Sequence, residues 1–166
     1  KGFGNFPDDL ECTTKWHILH VQAPTGGMLK DEDRIHPSTL PGTYMYHNGI
    51  ITPRGMKYMQ EKLQTTETFD TKLLHATLDK YGFDVLSEIE GGFACLYIND
   101  DKTYIFRTKH LKLYISPDSI SSERQPNGKC INADTIYELS FGDTITYKEV
   151  GYFKTKRHNY IIQGEL

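Results

Sequence analysis

The sequence predicts an α+β domain in which two or three helices are layered on mostly antiparallel strands, and three observations carry that expectation. Apolar residues recur at helical spacing only between Pro53 and about residue 90. Alternating segments rich in β-branched and aromatic residues lie on both sides of that stretch, with the longer run after Gly91. A short polar turn such as Asn99-Asp100-Asp101 makes a hairpin rather than the long crossover that a parallel βαβ sheet requires.

The bulk properties fit one domain spanning residues 1–166. A chain of 166 residues leaves little room for a second domain, and 37% hydrophobic residues with 11 Tyr and 8 Phe suffice for a core. No apolar run approaches the length needed to cross a membrane. The formal net charge of −3 argues against a basic nucleic-acid surface. Cys12, Cys95 and Cys130 are an odd number without ligand spacing, which points to a reducing, cytoplasmic setting rather than a disulfide scaffold. His17 and His20 lack a further Cys/His pair at metal-ligand spacing, so no metal is expected, and nothing in the sequence asks for a cofactor.

The elements follow in order. Residues 1–15 read as an irregular lead-in that starts Lys1-Gly2-Phe3-Gly4, with neither Met nor a signal-peptide core. Processing, or a start partway along a longer polypeptide, would explain such a beginning. Trp16–Gln22 alternates and reads as a strand, broken by Pro24 and Gly26-Gly27. Thr43–Ile51 reads as a second strand with a turn or bulge at Asn48-Gly49. Pro53 opens a helix with Met56, Met59 and Leu63 inward. Asp70 stands where an N-cap belongs, before the stripe Leu73, Leu74, Thr77, Leu78 and Tyr81, and Gly82 ends that helix. A short third helix carries Leu86 and Ile89. Phe93–Ile98 and Thr103–Arg107 form a hairpin, with further strands expected at 111–116, 134–140, 143–150 and 151–162.

Four segments stand out beyond these elements: His20 to Gly27, His36-Pro37, His47 to Ile51, and Phe69-Asp70-Thr71. Singly, they read as a loop, a Pro-containing turn, an Asn-Gly turn and a helix cap. Together, in this order and spacing, they resemble the class II glutamine amidotransferase domain. This is the N-terminal-nucleophile (Ntn) type found in glucosamine-6-phosphate synthase, amidophosphoribosyltransferase and asparagine synthetase. Gly91-Gly92-Phe93-Ala94, the return strand Tyr104–Arg107, Ile120-Ser121-Ser122-Glu123 and Phe141-Gly142-Asp143 extend the likeness from Trp16 to about Lys148.

The resemblance implies an αββα sandwich of mostly antiparallel sheets, lacking the family's first strands. It also implies an amidohydrolase that releases ammonia from glutamine or another amide, often for a synthetase domain or partner chain. Asn48 and Gly49 would form the oxyanion hole, a side-chain amide beside a backbone N–H. Gln22, Thr25, His36 and Asp70 would line the substrate pocket, with Asp70 holding the substrate ammonium.

Two departures qualify this. The family's nucleophile is an N-terminal cysteine, whereas this chain begins with Lys1, so a cysteine would have to be supplied upstream. Cys12 lies only eight residues before His20 and does not substitute for it, and Cys95 reads as a core residue. Gln22 also stands where the family has the Arg that clamps the glutamine carboxylate, and a neutral amide does not replace that cationic fork. Lys72 and Phe69 further replace the family's Glu and Ser. The alternative is a catalytically inactive binding or structural protein on an inherited Ntn scaffold.

Overall fold

The computed structural model describes residues 13–22 and 34–156. Its centre is a six-stranded antiparallel sheet built from β1 (Ser38–Leu40), β2 (Thr43–Ile51), β3 (Gly91–Asn99), β4 (Lys102–Arg107), β8 (Thr135–Phe141) and β9 (Ile145–Tyr152), adjacent in that order. A smaller sheet contains β5 (Tyr114–Ile115) between β6 (Ile120–Ser121) and β7 (Lys129–Cys130). The helices are α1 (Pro53–Leu63), α2 (Asp70–Tyr81) and a 3-10 helix, Phe83–Glu88. This is the expected α+β layering of mostly antiparallel sheets.

Strand alternation divides the apolar residues between two cores. On one face of the large sheet, Met45, Phe93, Cys95, Tyr97, Phe106 and Ile136 pack under Met59, Leu73, Leu74 and Leu78 of the helices. On the other, Ala94, Ile105, Tyr137 and Leu139 meet Leu113, Ile115 and Ile131 of the small sheet and its approaches. Successive side chains of a strand point to opposite faces, so β3 and β4 serve both cores. The described residues thus supply a helix layer, a large sheet and a small sheet. Arg107 ties the last two together: its Nε and Nη2 donate to the Ile131 carbonyl at 2.9 and 2.7 Å, and its Nη1 donates to the Thr108 and Leu111 carbonyls at 3.2 and 2.8 Å.

Local chemistry explains the helix ends. Pro53 takes the first helical position of α1, and the Thr52 hydroxyl accepts the Gly55 N–H at 3.2 Å. Gly82, at φ +72°, terminates α2.

Four local expectations are corrected. Trp16–Gln22 forms no strand: Trp16, His20 and Gln22 are half-buried and His17, Leu19 and Val21 exposed, but no backbone among the described residues pairs with it. Its side chains anchor it instead, as described below. No bulge interrupts β2, since its register with β3 runs unbroken from Thr43↔Asn99 to Ile51↔Gly91. Residues 145–152 form one strand, not two, with the register shift falling at Ile136/Tyr137. Asp70 lies inside the first turn of α2, and Phe69 is the N-cap, its carbonyl accepting the Leu73 N–H at 3.0 Å.

Candidate functional site

The short strand β1 sets up the site. It pairs only with Thr43, Tyr44 and Met45, so among the described residues the second half of β2 is an open sheet edge. A cleft of about 1130 Å³ lies along that edge, reaching from the start of α2 to the small sheet. Gln22, His36, Asn48, Gly49 and Asp70 all line it. Thr25 and Cys12 lie outside the described residues.

Gly49 is fixed by a close approach. Its φ is +140°, and a Cβ there would stand 2.0 Å from the Gly92 carbonyl oxygen. Opposite Gly49, the N–H of Phe93 donates to Thr108 Oγ1 at 3.0 Å and its carbonyl accepts the Thr108 N–H at 2.8 Å, both on the β4 side. Antiparallel alternation therefore turns the Gly49 N–H away from β3, toward the open edge. The His47 N–H, two residues earlier, points the same way and donates to His36 Nδ1 at 3.5 Å. Asn48, between them, is exposed on the opposite face of the strand.

Behind the cleft lies a buried polar cluster. Thr71 Oγ1 contacts His36 Nε2 at 2.9 Å and His47 Nδ1 at 3.0 Å. Because His36 Nδ1 accepts a backbone N–H, the proton of His36 belongs on Nε2, which donates to the Thr71 hydroxyl. That hydroxyl then donates to His47 Nδ1, which places the single N–H of neutral His47 on Nε2. This atom is buried and finds no acceptor at hydrogen-bonding geometry among the described residues. Burial holds the His47 pKa below its usual value, although the Asp70 carboxylate and the Gly92 carbonyl favour the charged form. His20 stacks on His36 with ring centroids 4.4 Å apart, and its pKa is also lowered, by burial and then by His47.

Asp70 completes the cluster. Its Oδ1 accepts the Thr71 N–H at 2.7 Å, and Oδ2 stands 3.9 Å from His47 Nδ1. A carboxylate in the first turn also suits the positive end of α2. The chain leading into the helix is held by Glu67, whose Oε1 accepts the N–H groups of Thr68 at 2.8 Å and Phe69 at 2.9 Å. Lys72 pairs with the other oxygen of Glu67 at 3.0 Å.

Gln22 is engaged with the backbone. Its Nε2 donates to the Arg34 carbonyl at 3.0 Å, and its Oε1 accepts the His36 N–H at 3.1 Å. These two bonds fasten residues 16–22 to the segment carrying His36, whose bond to Pro37 is cis. Cys95 also borders the cleft, but it is 1% exposed, and burial together with the Asp70 charge pushes its thiol pKa well up.

Sequence reasoning missed Thr71 and the role of His47. Thr71 was legible only as the residue after Asp70, since nothing local shows that its hydroxyl bridges two imidazoles from distant segments.

The arrangement has solved counterparts. A glutamine phosphoribosylpyrophosphate amidotransferase from B. subtilis, complexed with ADP and GMP, aligns with TM-score 0.54 over 73% of this chain and 33% of its own, at 14% identity. In fold, this chain resembles a class II glutamine amidotransferase domain of the Ntn type. The structure of an allosteric regulatory enzyme of purine biosynthesis aligns with TM-score 0.52 over 64% of this chain and 28% of its own, also at 14% identity. The chain thus spans a third or less of the length of these solved proteins, and the likeness is one of fold. No protein-family model and no curated protein matches the sequence. No helix among the described residues is long and apolar enough to cross a membrane.

Proposed function

We propose that the cleft is the substrate site of a glutaminase-type, Ntn-class amide hydrolase. The observation that carries this reading is the pairing of two neutral donors, the Asn48 side chain and the open-edge Gly49 N–H, with the Asp70 carboxylate around one cleft. Amide hydrolysis needs that division of labour. Charge develops on the carbonyl oxygen as a nucleophile attacks, and preorganised donors stabilise it. The Asp70 carboxylate holds the ammonium that orients the substrate, and His36 and Thr71 keep that end of the cleft in position. Thr25, a further candidate by resemblance to the family, lies outside the described residues.

In the reaction, a nucleophile bonds to the amide carbon. The C–N bond breaks, the nitrogen leaves as ammonia after taking up a proton, and water then hydrolyses the acyl intermediate to a carboxylic acid. Among the described residues lining the cleft the one cysteine is Cys95, and its thiol is buried with a raised pKa. The reading therefore requires a cysteine from outside them, as in a longer natural chain that also carries a synthetase partner domain.

A second reading, a catalytically inactive binding protein on the same scaffold, is favoured by Gln22. Its amide is committed to the Arg34 and His36 backbone and offers no cation to a substrate carboxylate.

Ammonia release by the natural full-length protein, measured over a panel of amides including glutamine, separates the two. Activity that falls at least about a hundredfold in Asn48→Ala, the size of an oxyanion-hole loss, supports hydrolysis. Absence of ammonia from every amide, with amine binding that disappears in Asp70→Asn, supports the binding protein.

A further inference from the structure

Gly49, Gly91 and Gly92 meet across β2 and β3 at the cleft, and the backbone accounts for the first two. Gly49 combines a positive φ with the close approach described above. A Cβ on Gly91 would stand 2.9 Å from both the Ile50 carbonyl oxygen and Ile51 Cα. Gly92 has neither reason. Its φ is not among the positive ones, and among the described residues an added Cβ would meet Leu111 at 3.9 Å, an ordinary van der Waals contact.

Glycine inside a strand weakens it, and marks a bulge, a close approach of another backbone, or a close approach of a ligand. The unbroken register of β2 with β3 excludes a bulge at Gly92. The group nearest to its missing side chain is the Leu111 side chain, not backbone. A ligand remains, and Gly92 is half-buried on the lining of the cleft.

The surroundings say which part of a ligand approaches. Gly92 faces Ile50 across the ladder and Ala94 faces Asn48, so these four positions share the sheet face turned toward the small sheet. Gly92 and Ala94 leave a niche there beside Leu111, Leu113 and Ile120, which pack between the two sheets and also line the cleft. Asn48 stands one diagonal step, about 7–8 Å, from Gly92. The hydroxyls of Ser121 and Ser122 and the Glu123 carboxylate follow Ile120 with increasing exposure, so that wall is polar toward its rim and apolar at the niche.

We infer that Gly92 is a specificity-determining residue, its missing side chain reserving the niche for an apolar acyl group whose carbonyl lies at Asn48. The substrate class is then a carboxamide with a hydrocarbon or aryl substituent on the acyl side. The inference rests on Asn48 as the carbonyl donor of the proposed hydrolase site and adds the part of the substrate that the cleft measures.

NMR titration of the protein with acetamide, isobutyramide and hydrocinnamamide tests this, alongside urea unfolding of each variant. In the parent, affinity is expected to rise at least about tenfold from the first amide to the last, as apolar area enters the niche. Gly92→Leu fills the niche and should abolish that rise while acetamide binds as in the parent. Gly92→Ala adds one methyl and should reduce the rise in part; should Gly92→Leu fail to fold, this variant decides alone. Equal binding of the three amides by the parent, or an undiminished rise in a folded variant, overturns the inference. So does a lowered unfolding midpoint in Gly92→Ala, because the glycine would then serve packing. Failure of all three amides to bind overturns it as well. Ammonia release by the natural full-length protein decides hydrolysis separately. Release without preference among these amides keeps the hydrolase reading and loses the niche, whereas graded binding without release keeps the niche and loses hydrolysis.

Discussion

Gly49 and Gly92 stand on neighbouring strands so close that a Cβ on Gly49 would meet the Gly92 carbonyl oxygen at 2.0 Å. Two requirements therefore coincide at Gly49, a φ of +140° and the absence of a side chain. Gly92 carries neither, since a Cβ there would meet only Leu111 at 3.9 Å. Gly49→Ala is expected to cost more than about 3 kcal/mol or to abolish folding, as strain and a backbone clash add. Gly92→Ala should be tolerated. Urea unfolding of both variants checks the contrast, and a Gly49→Ala protein with the parent midpoint would show that the strands are not this close.

Thr71 offers one hydroxyl to two imidazoles. Thr71→Val keeps the shape and removes that hydroxyl, and with it the hydrogen bonds to His36 Nε2 and His47 Nδ1. A loss of about 1–3 kcal/mol is expected for each buried polar atom left unsatisfied. Thr71→Ser keeps the hydroxyl and should lose only about 1 kcal/mol for the missing methyl. Equal denaturation midpoints for the two variants would mean that the bridge contributes nothing.

Particular residues show what was legible in the sequence. The helices were, because Pro53, the apolar stripe Leu73, Leu74, Leu78 and the terminator Gly82 are local signals that agree with one another. The β3–β4 hairpin was legible for the same reason. Trp16–Gln22 misled because alternation reports which side chains turn inward, not whether a strand lies alongside to take the backbone bonds. The small sheet was largely invisible, since two-residue strands such as Lys129–Cys130 carry no periodicity. That Asn48, Gly49, His36 and Asp70 share one cleft could be anticipated from motif order alone. Its cause could not: β1 begins only at Ser38, opposite Met45, and among the described residues no strand covers the β2 edge beyond that point. Asp70 differed from the expected cap by a single position, because Glu67 and the Phe69 backbone already serve the helix entrance.

His75 makes the protein sensitive to acid. It is wholly buried in α2, between Thr43 Oγ1 at 2.8 Å and Ser38 Oγ at 3.0 Å, and joins the helix to the β1–β2 hairpin. Burial lowers its pKa from 6.5 to about 4, only partly opposed by the Asp79 carboxylate. Between these values the unfolded chain binds the proton and the folded one does not. Stability is therefore full above pH 6.5 and falls as the pH drops toward about 4, by roughly 3 kcal/mol in all. His47 and His20, also lowered, act in the same direction. His75→Gln should flatten this dependence when urea midpoints are compared at pH 7 and pH 5; an unchanged slope would assign the acid sensitivity to other groups.

Cys95 and Cys130 should differ sharply toward alkylating agents. Cys95 lies on β3, opposite His47 in register, with 1% of its surface exposed and its thiol pKa well raised by burial and by Asp70. A thiolate there would have to form without water and beside a carboxylate, so the reactive species is scarce as well as inaccessible. Cys130 is only half-buried, on the outer strand β7 of the small sheet. Iodoacetamide at neutral pH, followed by peptide mapping, should modify Cys130 in the folded protein and Cys95 only after denaturation. Labelling of native Cys95 at a rate near that of Cys130 would mean that β3 opens to solvent. It would also revive Cys95 as a nucleophile, since His47 lies across from it and the proposed oxyanion donors Asn48 and Gly49 follow His47 directly on β2. An inert Cys95 leaves that chemistry to a group reaching the cleft from outside the described residues.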